Sequence, residues 1–270
     1  MRITGIIWAV LSLLGLGGVC PAQAGQWIVV VETPAQPEGS PVEHQRLLVT
    51  RKGATGFFAS KRIELLWFSG RDYTFRVIDN GPELSPNYPA LSAALRANGC
   101  IAGCNGGFFG KGHEPLGLMI AEGTSTGALG SGALASGIIL NSGKRNPYLL
   151  RKAEYGAKYA PIDLLQAGPF LVDQGAAVAG LSPERPARRT FVLHDGKDGF
   201  ALGLSDYLTL AELGEILATP NFAPGHSIFR ALNLDGGSSS GLFWDRGTEV
   251  SQVQVEPLKT VRNFLGIVPR

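Results

Sequence analysis

The sequence predicts an α+β fold: a mainly antiparallel or mixed sheet, a few helices, and glycine-rich loops at strand ends that together form one cleft. Three observations predict it. Glycine supplies 37 of 270 residues while charged residues reach only 17%, against about a quarter in ordinary domains, which favours turns and strands. Short β-forming runs bounded by Gly, Pro and Asn recur along the chain. Only two segments carry apolar residues at helical spacing, and no repeat, low-complexity tract or linker divides the chain, so residues 25–270 read as one domain.

The elements follow in order. Arg2 precedes an apolar stretch from Ile3 to Val19 and then Ala22-Gln23-Ala24, the small-x-small pattern of a secretory cleavage site. Gly15, Gly17 and Gly18 interrupt the stretch and no charged stop-transfer flank follows it. Residues 1–24 therefore read as a signal peptide, and the remainder as periplasmic or secreted. No later stretch is long enough to span a bilayer.

Residues 27–31 form an apolar run suited to a buried strand, and a Pro/Gly-rich loop follows over 34–41. Residues 46–50, 63–68 and 73–79 continue as strands between glycine-containing breaks, giving a meander through the first third. Leu91 and Leu95 predict a helix over 90–97 that stops at Asn98-Gly99, a C-terminal cap. Thr209 and Glu212 make a capping box for a second helix with Leu210, Leu213, Ile216 and Leu217 on its apolar face. Residues 191–194 and 241–244 read as strands.

Charge and cysteines limit the function. Lys+Arg and Asp+Glu number 24 and 22, net +2, and no basic run exceeds two residues. Electrostatic capture of nucleic acid or of an acidic membrane is thereby excluded. Once the leader and Cys20 are removed, Cys100 and Cys104 remain. In a strand their Cα atoms stand about 13 Å apart, beyond the roughly 4.4–6.8 Å that a disulfide needs, so two buried thiols are expected. Four widely spaced histidines offer no zinc pattern.

Two segments end a predicted strand in a polar residue and paired glycines: Asn105-Gly106-Gly107-Phe108-Phe109 and Asn233-Leu234-Asp235-Gly236-Gly237-Ser238. Alternation sends Leu232 and Leu234 into the core and Asn233 and Asp235 to the other face. Paired glycines let backbone N–H groups converge on an anionic or polyhydroxyl ligand. Asx-Gly pairs are equally a hairpin signal, and both readings stand at this point. Arg189, at the mouth of a strand, suits bidentate phosphate binding or an exposed surface. His113 and Glu114 lie in a Gly/Pro-rich loop and offer acid/base groups. Gly237-x-Ser239-x-Gly241 matches a nucleophile elbow in letters only. That fold requires a helix next and a histidine after the serine, whereas His44, His113, His194 and His226 all precede it.

Taken together, Asn105-Gly-Gly-Phe-Phe, Pro115-Leu-Gly-Leu with Glu122-Gly123, Ala167-Gly-Pro-Phe-Leu-Val, Arg189-Thr190 and Asn233-Leu-Asp-Gly-Gly-Ser-Ser resemble, in order, the phosphodiester glycosidase family over about residues 60–268. The layout is most similar to its shorter bacterial branch. The departure is Phe191-Val-Leu-His194, where the family usually has Ala-Ile/Val-Gly. The resemblance implies a hydrolase that cleaves the glycosidic bond of a sugar 1-phosphodiester in an envelope or extracellular glycan. In it Asp235 is nucleophile or general base, Arg189 clamps phosphate, and the Gly106, Gly107, Gly236 and Gly237 amides bind an anion. Asn105 holds sugar hydroxyls, Asn233 and Ser238 add polar contacts, and Glu114 or His113 is a second acid/base group. No cofactor is implied, and ligand spacing implies no metal, although Asp235 and Asn233 offer oxygen to a hard cation. The alternative is a non-catalytic carbohydrate-binding or envelope polysaccharide assembly module that uses Trp67, Trp244, Phe108 and Phe109 as platforms.

Overall fold

The computed structural model describes residues 26–270 except 33–35, 37, 57–58, 145 and 246–252. The signal peptide expected over 1–24 lies outside the described residues. Strands β1 (Trp27–Glu32), β2 (Glu43–Arg51) and β3 (Ser60–Ser69) form an antiparallel meander. After β4 (Tyr73–Asp79), helix α1 (Leu91–Ala97) leads into β5 (Ala102–Asn105). The middle of the chain gives β6 (Met119–Ala121), β7 (Thr124–Thr126), β8 (Gly137–Asn141), β9 (Tyr148–Arg151) and β10 (Asp163–Ala167). Then come β11 (Phe170–Asp173), β12 (Ala176–Ala177), β13 (Ala187–His194), β14 (Gly199–Leu208) and helix α2 (Leu210–Leu217). The last strands are β15 (Arg230–Asn233), β16 (Leu242–Trp244), β17 (Val253–Val255) and β18 (Asn263–Pro269).

These strands make three sheets, ordered β1-β2-β3-β14-β13-β15-β11-β12, β7-β6-β10-β8-β9 and β17-β16-β5-β18-β4, with antiparallel pairing throughout. One buried cluster draws on all three, including Leu66, Leu202 and Leu232 from the first, Ile139 and Leu165 from the second, and Val77, Leu242 and Leu265 from the third. The result is a single α+β domain with two α-helices among the described residues.

The meander ends earlier than the sequence predicts. β4 leaves it and pairs with β18 from Asp79↔Asn263 to Tyr73↔Pro269. The reason is competition for one edge: β14 lies along β3 from Ser69↔Gly199 to Ile63↔Ser205, leaving β4 no partner there. With Phe75, Val77 and Ile78 all buried, β4 contributes to the core from a different sheet.

Both helices form where local sequence places them. Thr209 accepts from Glu212 N–H (3.1 Å) and Glu212 accepts from Thr209 N–H (2.9 Å), closing the capping box, while Leu213, Ile216 and Leu217 are buried. α1 packs on β5 and β18 because Gly103 and Gly266 leave room; a side chain at Gly103 would overlap Leu95, and one at Gly266 would overlap Cys100. Cys100 and Cys104 are free, buried thiols, as expected. Burial pushes the Cys100 thiol up to about 12 and Cys104 higher still. Among the described residues no helix is long and apolar enough to cross a membrane.

Candidate functional site

The site forms where strand ends of two sheets meet. Antiparallel pairing of β13 with β15 sets Phe191 opposite Asn233. One step on, Leu234 N–H donates to the Thr190 carbonyl (2.8 Å), so Asp235 falls beside Arg189. The β13–β14 register shifts between Ala187 and Arg189, a bulge that re-aims side chains at the strand mouth. β5 enters from the other sheet. Its terminal Asn105 donates through Nδ2 to the Asp235 carbonyl (2.8 Å), and its Oδ1 accepts from Thr190 Oγ1 (2.7 Å) and Gly241 N–H (3.0 Å). Asp235 N–H donates in turn to the Gly106 carbonyl (3.1 Å).

This network changes the part played by several residues. Asn105 is fully buried, and its remaining amide hydrogen points to the Gly106 carbonyl (3.4 Å). Every hydrogen-bonding position of its side chain is taken, so the expected sugar contact is replaced by a positioning role. The Gly106 and Gly107 N–H groups are also spent, on Asn263 O (2.9 Å) and Asn263 Oδ1 (2.8 Å), and offer nothing to an anion. Gly106 has to be glycine, because a side chain there would collide with Asn263. Gly236 N–H turns back to Asp235 Oδ1 (2.9 Å). Of the four glycine amides expected to bind an anion, Gly237 N–H alone is unclaimed among the described residues. Gly237, with φ of 64°, opens a 3₁₀ turn through Ser239, so Asp235-Gly236 does not form a hairpin.

Asp235 is half-buried, and that burial pushes its carboxyl above the usual range. The Ser239 hydroxyl, the Lys259 ammonium and the Gly236 N–H pull partly the other way. Ser239 Oγ is close enough to act on the carboxylate while lacking hydrogen-bond geometry. Lys259 Nζ lies 4.7 Å over the Phe109 ring, and Phe109 meets His113 edge-on at 4.6 Å. The cation that acts on Asp235 is therefore Lys259. Arg189 spends Nε on the Leu208 carbonyl (3.0 Å) and Nη2 on the Arg185 carbonyl (2.8 Å). Its Nη1 sits 3.7 Å from where a Gly236 Cβ would be. Burial lowers its pKa, and it pairs with no carboxylate among the described residues.

His113 is buried and holds a positive φ of 64°. Its Nδ1 lies 3.0 Å from the Gly81 carbonyl. A carbonyl is satisfied only by a donor, so in the neutral ring Nδ1 carries the proton and Nε2 is an acceptor. Glu114 is the outlier: exposed, with its carboxylate folded over Gly110 and Gly112. Ser238 is exposed, and its carbonyl accepts from Leu258 N–H (2.8 Å). Asn233 donates to the Gly168 and Leu234 carbonyls (3.0 and 2.7 Å).

Several residues of these segments keep an unpartnered polar atom. Asn233 Oδ1, Ser239 Oγ, Ser240 Oγ, Asn263 Nδ2 and His113 Nε2 are all buried without a hydrogen-bond partner. Such atoms are uncommon in folded chains, and of these five the Ser239 hydroxyl is the one that acts on the Asp235 carboxyl. Among the described residues no group of three His, Cys, Asp or Glu side chains is assembled as a metal would need.

Sequence reasoning missed Lys259, Asn263 and Ser239. Asn263 carried a usable signal, a polar residue at the mouth of an apolar strand like Arg189, but without a glycine pair. Of the four platforms of the binding-module alternative, Trp67 and Trp244 are closed off, each 1% exposed, while Phe108 and Phe109 stay half-buried. The Phe191 departure is absorbed in the core. Phe191 is fully buried opposite Gly203, where any side chain would overlap its ring.

What these strands define is a mostly antiparallel α+β domain with a desolvated carboxylate, and a lysine acting on it, at the junction of two sheets. The sequence profile of the phosphodiester glycosidase family matches residues 98–268, more than half of the chain, and the chain belongs to that family. Among solved structures the chain is similar to the catalytic domain of zebrafish N-acetylglucosamine-1-phosphodiester alpha-N-acetylglucosaminidase, which is auto-inhibited by its pro-peptide. The identity is 17%, the TM-score 0.61, and 90% of this chain and 88% of that one are covered. It is also similar to a hypothetical protein from Synechocystis (16% identity, TM-score 0.51, covering 91% and 68%). A third neighbour is a putative exported protein from Burkholderia pseudomallei K96243 (13%, 0.53, covering 78% and 74%). At these identities the likeness is one of fold. No curated protein sequence matches significantly.

Proposed function

We propose that the protein is an exported glycosidase that hydrolyses the glycosidic bond of a sugar 1-phosphodiester in an envelope or extracellular glycan. Asp235 acts at the anomeric carbon, as nucleophile or as the base that deprotonates water. The observation that carries this reading is the surroundings of Asp235: it sits half-buried at the junction of two sheets, burial raises its proton affinity, the Lys259 charge lowers it, and no second carboxylate acts on it among the described residues. Ordinary glycosidases use two carboxyls because an alcohol leaves poorly unless it is protonated. A phosphate monoester leaving group has a remaining pKa of about 6 and departs without that help. One carboxylate then suffices, and Glu114, folded over Gly110, stays outside the set.

Arg189 and Lys259 supply the charge that a leaving phosphate requires. Gly237 N–H and the Ser238 hydroxyl remain to donate to phosphate or sugar oxygens, while Asn233 Oδ1 and His113 Nε2 are buried acceptors that only a hydroxyl could meet. The apolar stretch and small-x-small pattern of residues 1–24 support export to the periplasm or medium.

The test is a panel of sugar 1-phosphodiesters, beginning with an N-acetylglucosamine ester, incubated in H₂¹⁸O. Release of free sugar carrying ¹⁸O at its anomeric carbon, together with unlabelled phosphate monoester, is the expected result. Release of sugar 1-phosphate, or no release from any member, refutes the proposal.

A further inference from the structure

A groove of about 330 Å³ opens beside Lys259. Pro86, Tyr88 and Pro89, between β4 and α1, form one wall; Pro257 and Leu258, between β17 and β18, form the other. Two charged residues line it. Glu256 is consumed inside the fold, where its two carboxylate oxygens accept the Leu91 and Ser92 N–H groups at the start of α1 (2.8 and 3.1 Å). Lys259 is the other, and its ammonium, which acts on Asp235, has no carboxylate partner within ion-pair distance among the described residues. Among the lining residues Lys259 is thus the one cation, and the one carboxylate is already taken up by the start of α1.

We infer that this groove is the leaving-group subsite of the proposed reaction. It takes an uncharged group with a flat apolar face, either an aromatic ring or the apolar face of a second sugar, esterified to a phosphate held at Lys259. The inference rests on Asp235 being the point of cleavage.

Three features support it. The first is continuity: Leu258, which lines the groove, is tied through its N–H to the carbonyl of Ser238, three residues beyond Asp235 (2.8 Å). The Lys259 ammonium lies over the Phe109 ring that meets His113, so a phosphate departing from the anomeric carbon carries its ester group toward the groove. The second is charge, since an anion fits at the mouth while a charged group further in would meet neutral walls and lose its water. The third is preorganisation. Prolines and an aromatic ring present flat C–H and π faces that lose little freedom on binding. The Tyr88 ring is fixed further because its hydroxyl accepts from Asn98 Nδ2 (3.0 Å). Leu258 stands 77% exposed at the rim although its N–H is tied to the Ser238 carbonyl. Single exposed leucines are common. This one is held rigid where a ring entering the groove would cover it.

The test measures product-side binding and needs no turnover. Methyl phosphate, phenyl phosphate and glucose 6-phosphate are titrated calorimetrically into the full-length protein, Leu258→Ser and Lys259→Gln. Phenyl phosphate, glucose 6-phosphate or both should bind about tenfold tighter than methyl phosphate, the order expected for covering one apolar face. The one that gains tells an aryl group from a sugar. Leu258→Ser should cut that preference to below about threefold, and Lys259→Gln should weaken all three ligands together. Equal binding of the three ligands, or a preference that survives Leu258→Ser, overturns the subsite. If the preference behaves as expected while the phosphodiester panel shows no release, the groove stands as a phosphate-ester binding site and its assignment to a leaving group falls with the hydrolytic reading.

Discussion

Replacing Asn105 with alanine removes, besides the long contact to the Gly106 carbonyl, three short hydrogen bonds at once: to the Asp235 carbonyl, from Thr190 Oγ1 and from Gly241 N–H. Two of the partners are backbone groups that cannot turn to water. At about 1 kcal/mol for each bond, and more where a buried partner is stranded, the loss comes to roughly 3–5 kcal/mol. For a chain of this size that is a fall of about 10 °C or more in melting temperature. Thr190→Val keeps the shape and removes one of the three, costing about 1 kcal/mol, or roughly 2–4 °C. Because the two residues share a bond, the double variant should cost less than the sum of the single ones. Thermal melting followed by circular dichroism, with chemical denaturation in parallel, reads all three. If Asn105→Ala melts within about 2 °C of the natural protein and loses only ligand affinity, Asn105 contacts the sugar and the positioning argument is wrong.

Two further outcomes follow from the titrating groups. Burial raises the Asp235 pKa in the folded state, so its ionised form costs stability above the folded pKa and nothing below the unfolded one. Asp235→Asn should therefore melt higher than the natural protein at neutral pH, with the difference vanishing as pH falls to about 3; an unchanged gap across that range contradicts the burial argument. Lys259 lowers the same carboxyl, so Lys259→Gln should move the acidic limb of the pH dependence of kcat/KM upward, and a downward shift or none would contradict the pairing. The buried thiols Cys100 and Cys104 should react with a thiol reagent only after unfolding, and an intact mass two units below the reduced value would show a disulfide instead.

What could be read from the sequence was what neighbours decide. The capping box of Thr209 and Glu212, the helix after Ala90 and the strand over Tyr73–Asp79 depend on residues a few positions away, and each formed where the pattern placed it. The destination of β4 did not, because its partner β18 lies nearly two hundred residues on and β14 had taken the nearer edge. The site divides the same way. Asp235 and Arg189 stand out in the sequence because paired glycines and strand-mouth charges are local signals. That the hydrogen bonds of Asn105, Gly106 and Gly107 are spent on Thr190, Gly241 and Asn263 was not legible, since it is a tertiary property. Lys259 lies in a loop with no motif around it, and only the folded chain brings it to Asp235.

The most direct test of the central claim is single-turnover cleavage of a sugar 1-phosphodiester by Asp235→Asn, with folding checked by thermal melting. Asparagine preserves the shape and removes the charge that attacks or activates water. If Asp235 acts at the anomeric carbon, the rate should fall at least about a thousandfold, some 4 kcal/mol of barrier, while binding of the diester persists. A well-folded Asp235→Asn protein that cleaves the diester at the natural rate would contradict the account.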